Sequence, residues 1–94
     1  MVLELLNENR KLIFFLKEQR HPFTTDQIAN RLDVPTQNVC KTLGRMQSLG
    51  LLTIEFISPG YSIVIPRCRF LSMAEQELDS LCEKVTNMDN NGHS

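Results

Sequence analysis

The sequence predicts a mainly α-helical fold with one small antiparallel β-hairpin, and three observations carry that expectation. Apolar residues recur at helical spacing around Leu5–Leu16, Ile28–Leu32, Val39–Met46 and Leu78–Val85. Two runs rich in β-branched and aromatic residues, Leu52–Ile57 and Tyr61–Ile65, flank the turn residues Ser58-Pro59-Gly60. A short turn, Asp33-Val34-Pro35, separates the second and third helices, and Gly50-Leu51-Leu52 leads from the third straight into the hairpin. The expected order is helix–helix–helix–strand–strand–helix, with room for a very short strand between the first two helices.

The first helix spans about Val2 to Gln19, with Leu5, Leu6, Leu12, Ile13, Phe15 and Leu16 as its apolar positions. Leu12–Leu16 is apolar all round, which implies burial on more than one side. His21-Pro22 ends the helix, because the residue before proline is pushed out of the α region. Thr24 or Thr25 caps the second helix, whose face is Ile28, Ala29 and Leu32; from Thr25 the box is incomplete, since Ile28 stands where Glu or Gln belongs. Val34 plugs the core at the turn. Pro35 sits where a missing N–H costs least, opening a third helix of about Pro35 to Leu49 with Val39, Leu43 and Met46 on one face. Gly50 stops it, since glycine accepts a left-handed backbone without steric cost. Pro66 closes the second strand. Ser72 followed by Glu75 reads as a capping box for the last helix, with Leu71 as its hydrophobic staple. Ile13, Leu16, Ile28, Leu32, Val39, Leu43 and Met46 are expected in one core. Residues 1–86 make one domain, and 87–94, lacking apolar surface, make a flexible tail.

The 94 residues are 41% hydrophobic, ordinary for a globular chain and near the lower size limit for a single core without staples. Net charge is −1, but it is unevenly spread. Residues 1–71 hold nine Lys or Arg against six Asp or Glu, whereas residues 72–94 hold one Lys against five acids. No acid lies between Val34 and Ile54, where Lys41 and Arg45 fall. A nucleic-acid-binding face needs local positive potential rather than a basic whole protein. Cys40, Cys68 and Cys82 form neither a C-x-x-C pair nor a Cys/His cluster, so no disulfide framework or structural zinc is expected, and isolated thiols fit a reducing cytoplasm. Cys40 flanks the apolar stripe of the third helix and is expected to pack as a small hydrophobe. The start, MVLELLNENRK, does not read as a signal peptide, and the longest apolar run, Leu12–Leu16, is too short to span a bilayer.

Opposite Val39, Leu43 and Met46, the third helix carries Gln37, Lys41, Arg45 and Ser48, with Asn38 beside them. Gln or Asn can pair bidentately with adenine, and Arg or Lys with the guanine edge. Thr36 at the helix start could hold a phosphate together with free backbone N–H groups. Arg31, Arg67 and Arg69 could add phosphate contacts. Val39-x3-Leu43-x2-Met46-x3-Gly50-Leu51-Leu52, preceded by Ile28-Ala29-x2-Leu32-x-Val34, resembles prokaryotic winged helix-turn-helix transcription regulators over roughly residues 10–66. The resemblance implies a winged helix-turn-helix with N- and C-terminal helical extensions, binding double-stranded DNA. It implies that Thr36, Gln37, Asn38, Lys41, Thr42 and Arg45 face DNA and that the hairpin tip, with Tyr61, approaches an adjacent groove or phosphate. The tip departs from the family pattern in lacking Lys and Arg. Leu49 stands where such proteins often have a polar residue. Winged domains that bind left-handed nucleic acid carry a signature Asn, Tyr and Trp; the matching helix positions here are Cys40 and Gly44, and there is no Trp.

No nucleophile elbow, phosphate loop or carboxylate pair is visible, so neither catalysis nor a cofactor is expected. His21 and His93 have no ligand partners at metal-site spacing. A homodimer is expected through the terminal helices, with Leu3, Leu6, Leu78, Leu81, Cys82 and Val85 at the interface, which would present two docking helices to symmetric half-sites. The alternative is an adaptor that uses the same fold to bind a protein.

Overall fold

Two long terminal helices form one side of the molecule. Helix α1 (Val2–Glu18) and helix α5 (Glu75–Asn91) pack along each other, and the remaining elements lie between them in sequence. The computed structural model describes residues 2–19, 23–59 and 61–91. Within them follow β1 (Phe23–Thr24), α2 (Thr25–Leu32), α3 (Thr36–Ser48), β2 (Leu52–Ser58), β3 (Tyr61–Pro66) and a single-turn helix α4 (Cys68–Leu71). The molecule is therefore mainly helical with a small three-stranded antiparallel sheet, ordered β1-β3-β2. The short strand allowed between the first two helices is β1, pairing Phe23 with Val64 and Thr24 with Ile63. The proposed break at His21-Pro22, Gly60 of the hairpin turn, His93 and the end of the tail lie outside the described residues.

The core follows the apolar periodicity. Leu12, Ile13 and Leu16 from α1, Ile28 and Ala29 from α2, and Val39, Leu43 and Met46 from α3 are all buried together, joined by Leu51, Leu52 and Val64 from the hairpin. Leu32, Val34 and Leu49 are half-buried and pack against that cluster. The rings of Phe15 and Phe23 meet at 5.5 Å with a 59° tilt, tying α1 to β1.

The ends of the helices meet one of the local expectations and depart from others. Of the two expected caps of α2, Thr24 is the one that forms, with a complete capping box: Gln27 N–H donates to Thr24 Oγ1 at 3.1 Å and Thr24 N–H to Gln27 Oε1 at 3.0 Å. The Ser72–Glu75 box does not form. Helix α4 occupies the preceding turn, Ser72 is its C-cap and donates to the Arg69 carbonyl, and α5 starts with Ala74 N–H donating to Glu77 Oε1. Leu71, the expected staple, is 42% exposed, whereas Phe70 is fully buried. Helix α5 also continues through residues 87–91, part of the expected tail, because a helix anchored by packing extends one hydrogen bond at a time at little cost.

The sheet projects the far end of its hairpin away from the helices. Leu52 and Val64 are buried at its base, and register runs from Leu52↔Pro66 to Ser58↔Tyr61. An irregularity between Phe56 and Ser58 leaves Ile57 as an extra residue, which bends the strand. Phe56, Ile57 and Tyr61 are consequently 70%, 51% and 48% exposed.

Candidate nucleic-acid interface

Helix α3 is positioned by its two ends. After Asp33, held in the left-handed region at φ 57°, the chain extends through Pro35, which acts as N-cap and contributes no side-chain bond. The first turn of α3 contains no acid, so its positive dipole end is not neutralised by the helix's own side chains. At the other end Gly50 takes φ +77°, Gly50 N–H donates to the Gln47 carbonyl at 3.0 Å and Leu51 N–H to the Met46 carbonyl at 3.0 Å. This paired pattern is a Schellman stop, and it turns the chain directly into β2.

Val39, Thr42, Leu43 and Met46 face the core, while Thr36, Gln37, Cys40, Lys41, Gly44, Gln47 and Ser48 are exposed. Arg45 is half-buried along the helix, its guanidinium donating to the Lys41 carbonyl at 3.1 Å. Ser48 Oγ donates to the Gly44 carbonyl at 3.1 Å. The outward surface is thus polar, with two positive charges and no acid on the helix.

Several expected contacts are placed elsewhere. Thr42 is buried at 4% exposure and donates to Asn9 Oδ1, so it cannot face DNA: its position falls on the core side of the helix. Asn38 is half-buried and its Nδ2 donates to Glu8 Oε1 at 3.1 Å. Arg69 Nη1 reaches the Leu49 carbonyl at 3.4 Å, a cation at the C-terminal end of α3, and Arg67 Nε reaches Thr53 Oγ1 at 3.3 Å at the hairpin base. Arg31 is exposed in the last turn of α2, and Tyr61 is exposed at the hairpin tip. Cys40, expected to pack inward, is exposed. Gln47 joins the outer face although it is not among the expected contacts; it lies three residues from Gly44 on the same helical period.

Of the expected dimer residues, Leu78, Leu81, Cys82 and Val85 are buried within the chain itself. The apolar stripe of α5 is covered by α1 and its neighbours, so it offers nothing to a second copy. Leu6 is half-buried against the core, and Leu3 is 67% exposed. Arg10 makes an ion pair with Asp79 across α1 and α5, and Lys17 donates to the Leu71 carbonyl.

Gly44 stands in the middle of the exposed face, and a Cβ built there meets nothing within 4 Å. Glycine inside a helix costs roughly 1 kcal/mol relative to alanine. Gly44→Ala should therefore raise the stability of the free protein by about that amount. A thermal melt checks it, and an unchanged or lower midpoint would contradict the open geometry.

Cys82 lies in the core between α1 and α5. Burial pushes its thiol from 9.0 up to about 11, opposed by the nearby Arg10 guanidinium. A thiol that holds its proton more tightly when folded stabilises fully below about pH 9, and that stabilisation declines as pH rises from 9.0 toward about 11. Cys82→Ala should accordingly show a shallower loss of stability than the parent across this window, measured by urea unfolding at stepped pH. A thiol reagent should modify the exposed Cys40 and Cys68 in the native state and reach Cys82 only on unfolding.

Among the described residues, no group of three or more His, Cys, Asp or Glu could hold a metal ion, and no helix is long and apolar enough to cross a membrane. The chain matches none of the protein-family models, curated proteins or solved structures with which it was compared.

Proposed function

We propose that this chain is a DNA-binding transcription regulator of winged helix-turn-helix type, in which α2 and α3 are the helix-turn-helix and β2–β3 the wing. The observation that carries the reading is α3 itself. An acid-free helix follows a three-residue turn, exits by a glycine stop into an antiparallel hairpin, and exposes Gln37, Lys41, Gln47 and Ser48. A helix so held suits the major groove, with Gln37 to read a base edge and Lys41 and Arg45 to supply positive potential. Thr36 with the N–H groups of Thr36 and Gln37 suits a phosphate on the side of the turn away from Glu8, the Asn38 N–H being taken by the Pro35 carbonyl, and Arg31, Arg67 and Arg69 suit the flanking backbone. Regulation would follow from occupancy, since a bound domain excludes other proteins from the same duplex. A second copy would pair through the outer side of α1 near the exposed Leu3.

The deciding experiment is selection from a pool of random duplexes. Enrichment of a common sequence supports the reading, and Gln37→Ala should then alter the enriched sequence more than the salt dependence. A pool that never enriches would overturn it in favour of a protein-binding adaptor. One feature specifically favours that second reading. Phe56, Ile57 and Tyr61 expose an apolar hairpin tip, and no Lys or Arg occurs between Met46 and Pro66 to bring that tip to phosphate.

A further inference from the structure

A buried polar clasp joins three helices that are distant in sequence. Thr42 Oγ1 on α3 donates to Asn9 Oδ1 on α1 at 2.6 Å, and Asn9 Nδ2 donates to Thr86 Oγ1 on α5 at 2.9 Å. Thr86 Oγ1 in turn donates to the Cys82 carbonyl at 2.7 Å. Asn9, Thr42 and Thr86 are 2%, 4% and 2% exposed. Beside them, Asn38 on α3 donates to Glu8 on α1.

Stability does not account for such a clasp. A buried carboxamide gives up its hydration and recovers it only through its partners, while replacing a whole buried polar network by apolar groups of similar volume is often neutral or stabilising. What the clasp supplies is direction. Val39, Leu43 and Met46 pack through non-directional contacts, which tolerate small rolls and slides of the helix. A hydrogen bond weakens steeply as its angle falls below about 120°. The Asn9–Thr42 and Glu8–Asn38 bonds are direct polar links between α1 and α3. Thr42 also sits on the same helix as Gln37 and Lys41, so its bond to Asn9 fixes a point on the element that carries those exposed residues.

We infer that Asn9 is a positioning residue: its carboxamide sets the roll of α3 against the α1–α5 pair, and so aims the exposed face of α3. The clasp itself is independent of the ligand, and only the duplex arm of the test rests on the proposed DNA reading. The test uses the full chain with Asn9→Leu, Thr42→Val and Thr86→Val combined, with Thr42→Ser as the conservative variant that keeps the hydroxyl. The combined variant should unfold at or above the parent temperature, yet residual dipolar couplings of α3 amides should no longer fit the parent orientation relative to α1 and α5. Thr42→Ser should retain that orientation. On the duplex enriched by the parent chain, the combined variant should bind about three- to thirtyfold more weakly, with affinity for random duplex unchanged. A folded combined variant whose α3 keeps the parent orientation overturns the inference. Should the combined variant fail to fold, Thr42→Val alone, which exchanges one hydroxyl for a methyl, is judged by the same couplings and the same criterion. Failure of the parent to enrich any duplex would remove the DNA reading and leave the couplings to decide the role of Asn9.

Discussion

Phe70→Ala should destabilise the protein by about 3–5 kcal/mol, the largest single-residue effect expected in this chain. Phe70 is fully buried although it belongs to a four-residue helix, α4, and its immediate neighbours Arg69 and Leu71 are exposed. It therefore anchors the connection between β3 and α5 by one ring. The same truncation at Leu71 should cost no more than about 0.5 kcal/mol, because that side chain is 42% exposed and the Lys17 bond goes to its backbone carbonyl, which alanine keeps. For a domain of this size each kcal/mol corresponds to about 4–8 °C in the unfolding midpoint, so calorimetry separates the two variants easily. Comparable midpoints for the two would mean that the connection is not anchored by Phe70.

That contrast also locates the limit of what the sequence reveals. Helices α1, α2, α3 and α5 and the β2–β3 hairpin are legible because each repeats its apolar period, or alternates β-branched residues, over at least two turns or several strand positions. A single helical turn has no period. Within Cys68–Leu71 the choice between Phe70 and Leu71 as the inward residue depends on where the β3 exit aims the chain, and that is a tertiary fact. Ser72 shows the same dependence. Its spacing to Glu75 fits a capping box, but the preceding turn is already helical, so its hydroxyl serves the end of α4 instead. At α2 the local chemistry is adequate, and the complete box simply belongs to Thr24 and Gln27.

For the candidate site, periodicity separates the inner and outer faces of α3 but not the boundary between them. Thr42 falls three residues after Val39 and so on the core side of the helix, but its side chain is polar, and the buried partner that accepts its hydroxyl, Asn9, lies on another helix. Asn38 is drawn toward α1 by Glu8 in the same way. Both partners lie about thirty residues away, at 33 and 30 positions respectively, where no local pattern links them. The α5 stripe is the converse case. Its Leu78, Leu81, Cys82 and Val85 read correctly as needing a cover, and α1 of the same chain provides it.

Replacing Lys41 and Arg45 together by alanine should weaken duplex binding and flatten its salt dependence, if α3 is the docking helix. The chain has a net charge of −1, and its last helix is acidic, so attraction to a polyanion must come from a local surface. Lys41 and Arg45 are the two cations of α3, one exposed and one lying along the helix beside it. Removing one cation–phosphate interaction should reduce the slope of log affinity against log salt by about 1, so the pair together should reduce it by about 2. Lys84→Ala is the control. It removes a cation from the exposed side of α5 and changes the total charge in the same direction, yet it leaves the α3 face intact. The control should keep the parent slope, and Lys41→Ala and Lys84→Ala, which change exposed cations to a good helix former, should leave the unfolding midpoint close to that of the parent. Duplex binding titrated from low to high salt reads both slopes. A double variant with the parent slope would move the docking surface away from α3, and a loss about half as large in Lys84→Ala, which removes one cation rather than two, would mean that whole-molecule charge, rather than this face, governs the encounter.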